Sequence, residues 1–108
     1  LARNGDVVAL MKGGLHTDEL LSAVLNASGG LRTERRLSHV FWLDVPGHVR
    51  PLLVTDAAVN IEPSLEDKAD IVRNAISLAH ALGVKRPRVA VLAAVETINP
   101  RMRATLDA

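Results

Sequence analysis

Apolar positions along this chain fall into two kinds of pattern. Asp6-Val-Val-Ala-Leu-Met11 and Pro87-Arg-Val-Ala-Val-Leu-Ala-Ala94 are continuous runs of strand length. Such runs are typical of parallel strands covered on both faces. Between Ser64 and Leu82 the apolar residues recur at helical spacing instead: Leu65, Ala69, Val72, Ile76 and Ala79 form one stripe, widened by Ile71, Ala75, Leu78 and Leu82. Glu66, Asp70, Arg73, Ser77 and His80 form the opposite face, which puts His80 at the surface. Ser64 with Asp67 three places on approximates a capping box, and Gly83 closes the helix.

Shorter elements fill the intervals. Asp18 to Leu25 places Leu20, Leu21, Val24 and Leu25 on one helical face, with Thr17 at the N-cap and Asp18 and Glu19 near the positive end of the dipole. Asn26, Ser28, Gly29 and Gly30 end that helix. His39 to Val45 and Pro51 to Thr55 read as strands around a Pro46-Gly47 turn. Their short connection makes them antiparallel neighbours, since parallel strands need a long crossover. Trp42, inside the first of them, reads as a packing residue. Met102 to Ala108 begins a last helix. The predicted class is α/β, a layered mixed sheet with flanking helices.

Composition narrows the function classes. The chain has 108 residues, one domain or a piece of one, and it opens Leu1-Ala-Arg-Asn4 without an initiator methionine, so it is expected to be cut from a longer protein. Phe41 and Trp42 are its only aromatic residues apart from histidine, so the core must be aliphatic. A net charge of +1 and the want of stacking platforms argue against nucleic acid. No apolar run approaches the ~20 residues that span a bilayer, so no membrane partner is expected. The absence of cysteine removes disulfides, thiolate catalysis and cysteine-ligated metal, and is compatible with a reducing cytosol. A cytoplasmic location is expected.

Candidate chemistry collects at the junction of the first run and the first helix, Lys12-Gly-Gly-Leu-His16-Thr17. A strand, a glycine turn and a helix start make an anion site, because free N–H groups and the helix dipole converge there. Gly13 and Gly14 permit unusual backbone angles and close approach of a ligand, and Lys12 and His16 can both donate to phosphate. The competing reading is an ordinary tight turn. Neither the Walker nor the dinucleotide glycine spacing is present. Arg32, Arg35 and Arg36 form either a solvated connector or an anion clamp. Asp56 and Asn60 either meet a ligand beyond the strand end or bond the turn backbone.

Five segments, taken in order, resemble the phosphate acetyl/butyryltransferases. They are Ala9-Leu-Met-Lys-Gly-Gly-Leu-His-Thr17, Gly30-Leu-Arg-Thr33 with Leu37-Ser-His-Val40, Thr55-Asp-Ala-Ala-Val-Asn60 and Val95-Glu-Thr-Ile-Asn-Pro100. The chain is similar to the middle of such an enzyme, above all in the butyryltransferase-like branch, some of whose members are fused to an enoyl-CoA hydratase domain. The resemblance implies a two-lobed fold like isocitrate and isopropylmalate dehydrogenases. Residues 1–37 would end a first-lobe segment and 38–108 would begin the second lobe.

It further implies transfer of an acyl group between CoA and inorganic phosphate in a cleft between lobes. CoA, acyl-CoA, acyl phosphate and phosphate would be substrates, with no permanently bound cofactor, no metal, and a homodimeric whole enzyme. By position, Lys12, Gly13, Gly14, His16 and Thr17 match the family's cleft loop, and Glu96, Thr97 and Asn99 match a loop entering from the second lobe. The arginine that related enzymes often carry after the His-Thr pair is replaced here by Leu20-Leu-Ser-Ala23. The serine, arginine and aspartate that activate the thiol are expected beyond Ala108, so this piece alone is expected to be inactive and its catalytic residues are unassigned. The alternative is a non-catalytic module that senses acyl-CoA or acyl phosphate within a larger protein.

Overall fold

A computed structural model describes residues 1–108, which divide into two compact units, Leu1–Arg35 and Arg36–Ala108. The first unit contains one helix, α1 (Thr17–Val24). Its leucines half-bury one face at Leu20 and Leu21, with Val24 beside them. The N-cap is His16, in extended conformation and without a side-chain bond to the helix, so the expected Thr17 cap is corrected by one residue. Thr17 already has helical angles, and its hydroxyl therefore caps nothing.

The far end of α1 is tied more firmly. The Asn26 carboxamide oxygen accepts from the amides of Ser28 and Gly29 and from the Ser28 hydroxyl, at 3.0, 2.9 and 2.9 Å. Gly30 N–H returns to Asn26 O and Leu31 N–H to Val24 O at 2.7 Å. A Cβ at Gly30 would sit 2.6 Å from Asn26 O and 2.8 Å from Ala23 O, both unyielding backbone atoms. The Arg3 guanidinium donates to Ser28 O and fastens the start of the chain to this turn.

The strand expected over Asp6–Met11 is absent, and Val8 and Met11 are 104% and 99% exposed. A lone strand cannot satisfy its own backbone groups, and nothing else in this unit is a strand. The same correction applies in the second unit. The central strand expected over Pro87–Ala94 does not form, and Leu92 is 85% exposed.

The second unit is built on a hairpin and a long helix. Strands β1 (Val40–Leu43) and β2 (Leu52–Thr55) pair antiparallel in the register Val40 with Thr55, through Leu43 with Leu52. The turn between them is closed by His48 N–H on Val45 O. Trp42 is 44% exposed, so the expectation of a packing role is corrected. With only two strands, the sheet covers too little to enclose an indole.

Helix α2 (Leu65–Ala81) packs against β2. Its capping box is complete: the Asp67 amide donates to the Ser64 hydroxyl at 3.2 Å, and the Asp67 carboxylate accepts from Ser64 N–H at 3.0 Å. Those bonds from the Ser64 backbone and hydroxyl hold the Asp67 carboxyl below its ordinary range. Ile71 and Ala79 are buried, while the stripe's end residues Leu65 and Leu82 remain exposed. His80 is exposed, as its place on the polar face predicts. Gly83 follows with φ of +87°, a left-handed angle that ends helices at little expense only in glycine. A short helix, α3 (Arg103–Asp107), is held to α2 by the ion pair between Lys68 and Asp107.

Candidate functional site

In the first unit, Lys12, Gly13, Gly14, His16 and Thr17 lie together on the exposed loop that enters α1. The Lys12 ammonium donates to Leu15 O at 2.7 Å and to Gly13 O at 3.2 Å, curling the side chain over its own loop. The amides of Gly13 and Gly14 make no hydrogen bond to the protein. Neither glycine has a positive φ, which corrects the expectation of unusual backbone angles. A Cβ placed on either would meet nothing within 4 Å. Neither the backbone nor the packing of this chain therefore requires glycine there. What remains is open space beside free N–H groups, a lysine and the positive end of a helix.

The His16 imidazole is exposed at the N-cap, and its backbone oxygen accepts from Leu20 N–H at 3.3 Å. In chemical terms the loop offers donors throughout: backbone amides, an ammonium and an imidazole. Such a set suits a phosphate oxygen.

In the second unit, Glu96, Thr97 and Asn99 lie on the irregular segment before α3. Glu96 and Thr97 are exposed, and Asn99 is half-buried. Thr105, a residue without any signal in the sequence pattern, reaches back from α3 to Asn99, accepting its N–H at 2.9 Å. The Asn99 carboxamide oxygen accepts from Arg101 N–H at 3.0 Å.

The alternative left open for Asp56 and Asn60 is answered by hydrogen bonds. Asp56 takes His39 N–H on one carboxylate oxygen at 2.8 Å and Asn60 N–H on the other at 2.9 Å. Asn60 in turn donates to Leu37 O at 2.9 Å and accepts from Arg36 Nε at 2.8 Å. Both side chains therefore bond the backbone and fasten the entry of β1 to the exit of β2. Burial pushes the Asp56 carboxyl up, but the donors from His39, Asn60 and Val59 outweigh it and leave the carboxyl below its ordinary value. Arg36 Nε also lies 3.7 Å from Asp67, which ties this arginine to Asn60 and to the cap of α2. His39, which site reasoning passed over despite its place in the Leu37–Val40 motif, has an enclosed Nδ1 without a partner. Its ring meets Phe41 edge-on, with centroids 4.5 Å apart.

Comparison with known proteins places the chain in a family. The profile described as phosphate acetyl/butaryl transferase matches residues 1–108. A phosphate acetyltransferase of Rhizobium meliloti is 56% identical over 108 residues, covering 100% of this chain and 34% of the relative. A probable phosphate butyryltransferase of Bacillus subtilis is 52% identical over 99 residues, 92% of this chain and 33% of the relative. The phosphate butyryltransferase of Clostridium acetobutylicum is 44% identical over 108 residues, 100% of this chain and 36% of the relative. The chain thus spans about a third of the length of the curated relatives it matches, and it belongs to the phosphate acetyl/butaryl transferase family.

Proposed function

We propose that the protein carrying this chain transfers an acyl group between CoA and inorganic phosphate. The sulfur of CoA attacks the acyl carbon of the acyl phosphate, a C–S bond forms, the C–O bond to phosphate breaks, and phosphate leaves. The thiol proton passes to a base, and the reverse reaction returns it. Lys12, the amides of Gly13 and Gly14, His16 and Thr17 hold the phosphoryl oxygens. Glu96, Thr97 and Asn99 meet the substrate from a second segment. Stabilising that leaving anion by oriented donors lowers the barrier without any metal-dependent step.

The whole enzyme, on this reading, has the two-lobed architecture of isocitrate and isopropylmalate dehydrogenases. Residues 1–37 end one lobe segment and 38–108 open the second lobe. It works as a cytoplasmic homodimer. The observation that carries the reading is the family match over residues 1–108, with the Lys12-Gly-Gly-Leu-His16-Thr17 loop exposed ahead of α1.

The test is Gly14→Val in the full-length protein, with acyl-CoA formation from acetyl or butyryl phosphate as the readout. A Cβ at Gly14 meets nothing within this chain, and a melting temperature measured beside turnover separates a loss at the site from a loss of fold. Turnover falls by about a hundredfold, the scale of a misplaced substrate. Parent-level turnover in that variant overturns the reading. A second reading, a module that binds acyl-CoA or acyl phosphate without turnover, draws on the Lys12 ammonium being bonded to carbonyls of its own loop. Binding of acetyl phosphate by a full-length protein that forms no acyl-CoA supports it.

A further inference from the structure

We infer that Thr105 is a positioning residue that fixes the backbone of Asn99, whose carboxamide, oriented by Arg101 N–H, faces substrate as a pure hydrogen-bond donor, so that the substrate atom Asn99 meets is an oxygen acceptor of acyl phosphate or phosphate. The inference rests on the acyl-transfer reading and adds a residue and a direction to it. Thr105 is buried, with 9% of its surface exposed. Its hydroxyl accepts Asn99 N–H at 2.9 Å and stands 3.0 Å from Asn99 O and 2.8 Å from Met102 O, so its one proton goes to one of these two carbonyls. Asn99 O takes a further bond from Met102 N–H at 2.8 Å.

These bonds settle every polar atom of Asn99 but one. Its backbone N–H and O are engaged by Thr105 and Met102, and its side-chain oxygen by Arg101 N–H at 3.0 Å. An amide N–H can bond only the oxygen of a carboxamide, so the orientation of the Asn99 side chain follows from that contact. The Nδ2 amino group is left, with two protons to give and no lone pair to receive. It fits a phosphoryl or carbonyl oxygen and does not fit a donor such as a hydroxyl proton or an ammonium.

The experiment uses the full-length protein and four forms: parent, Thr105→Val, Thr105→Ser and Asn99→Asp. Valine keeps the shape of threonine and removes the hydroxyl. KM for acyl phosphate should rise about 5- to 10-fold in that variant, the loss of one hydrogen-bonded contact. Its kcat should stay within about twofold, the mark of a binding effect. Serine restores the hydroxyl and the KM. Asn99→Asp retains an oxygen for Arg101 N–H but replaces the donors with negative charge, so KM rises further while the melting temperature holds. A Thr105→Val variant with parental KM and a lowered melting temperature reduces Thr105 to a fold residue and overturns the proposal, as does an Asn99→Asp variant with parental KM. If the parent protein turns over nothing, the acyl-transfer reading fails on its own. Calorimetric titration with acetyl phosphate and with inorganic phosphate then decides: weaker binding by Asn99→Asp and Thr105→Val upholds the positioning role, and unchanged or absent binding in all forms overturns it.

Discussion

Helix α2 and the run Val89–Leu92 are both rich in aliphatic residues and lie in the same unit, yet they behave oppositely. In α2, Ile71 and Ala79 are 6% and 1% exposed. In the other run Val89, Val91 and Leu92 are 50%, 48% and 85% exposed, and no strand forms. A helix closes its backbone bonds within itself and needs only one face covered. A strand must borrow every bond from a neighbour, and a parallel neighbour lies far along the chain. The hairpin stands between these cases, because a short turn delivers β2 to β1. Aliphatic content sets what an element can bury, and the distance to its partner decides whether it forms.

That contrast can be broken by mutation. Ile71→Ala in this chain should lower stability by about 2–3 kcal/mol, from lost burial and the cavity left behind. Urea denaturation followed by the fluorescence of Trp42, the sole tryptophan, reads it directly. Ser64→Ala removes the hydroxyl that receives the Asp67 amide and should lower stability by about 1 kcal/mol by the same measurement.

Acid should act through the hairpin's carboxylate latch. The folded-state pKa of Asp56 lies below its ordinary 3.8, so its stabilising contribution is complete above that value and lost as pH falls through the lower folded value. Denaturation midpoints measured from pH 5 downward should show this decline in the parent, and Asp56→Asn should make it shallower, leaving the part that belongs to Asp67. The smallest effect belongs to Leu92→Ala, within about 0.5 kcal/mol in this chain, because the side chain already faces water. A several-fold larger loss from Leu92→Ala in the full-length protein would sharpen the contrast, by showing that neighbours cover this run there.

What was legible in the residues follows the same division. The cap and close of α2 were readable because Ser64, Asp67 and Gly83 act within a few positions of themselves. The hairpin was readable from Pro46-Gly47 and its short span, and the last helix, expected over Met102–Ala108, forms over Arg103–Asp107. Asp6–Met11 and Pro87–Ala94 were misread because period alone reports a preference for burial without naming the partner strand. The first helix start slipped by one residue because His16 stands at the cap without a side-chain bond to the helix, while Thr17, the better capping residue type, is already inside it. At the site, the glycine pair and lysine stood out by composition. Thr105 did not, since a single threonine in a five-residue helix carries no pattern until its bond to Asn99 is seen.

Gly30 draws one more consequence from the turn that ends α1. The space a methyl group would take there is already filled by main-chain oxygens of Ala23, Val24 and Asn26. The heading of the chain as it leaves α1 toward Arg32 is thus dictated by an atom that is missing. Whatever the protein gains from presenting its arginines in that direction, it holds by tolerating no chemical novelty at this one position.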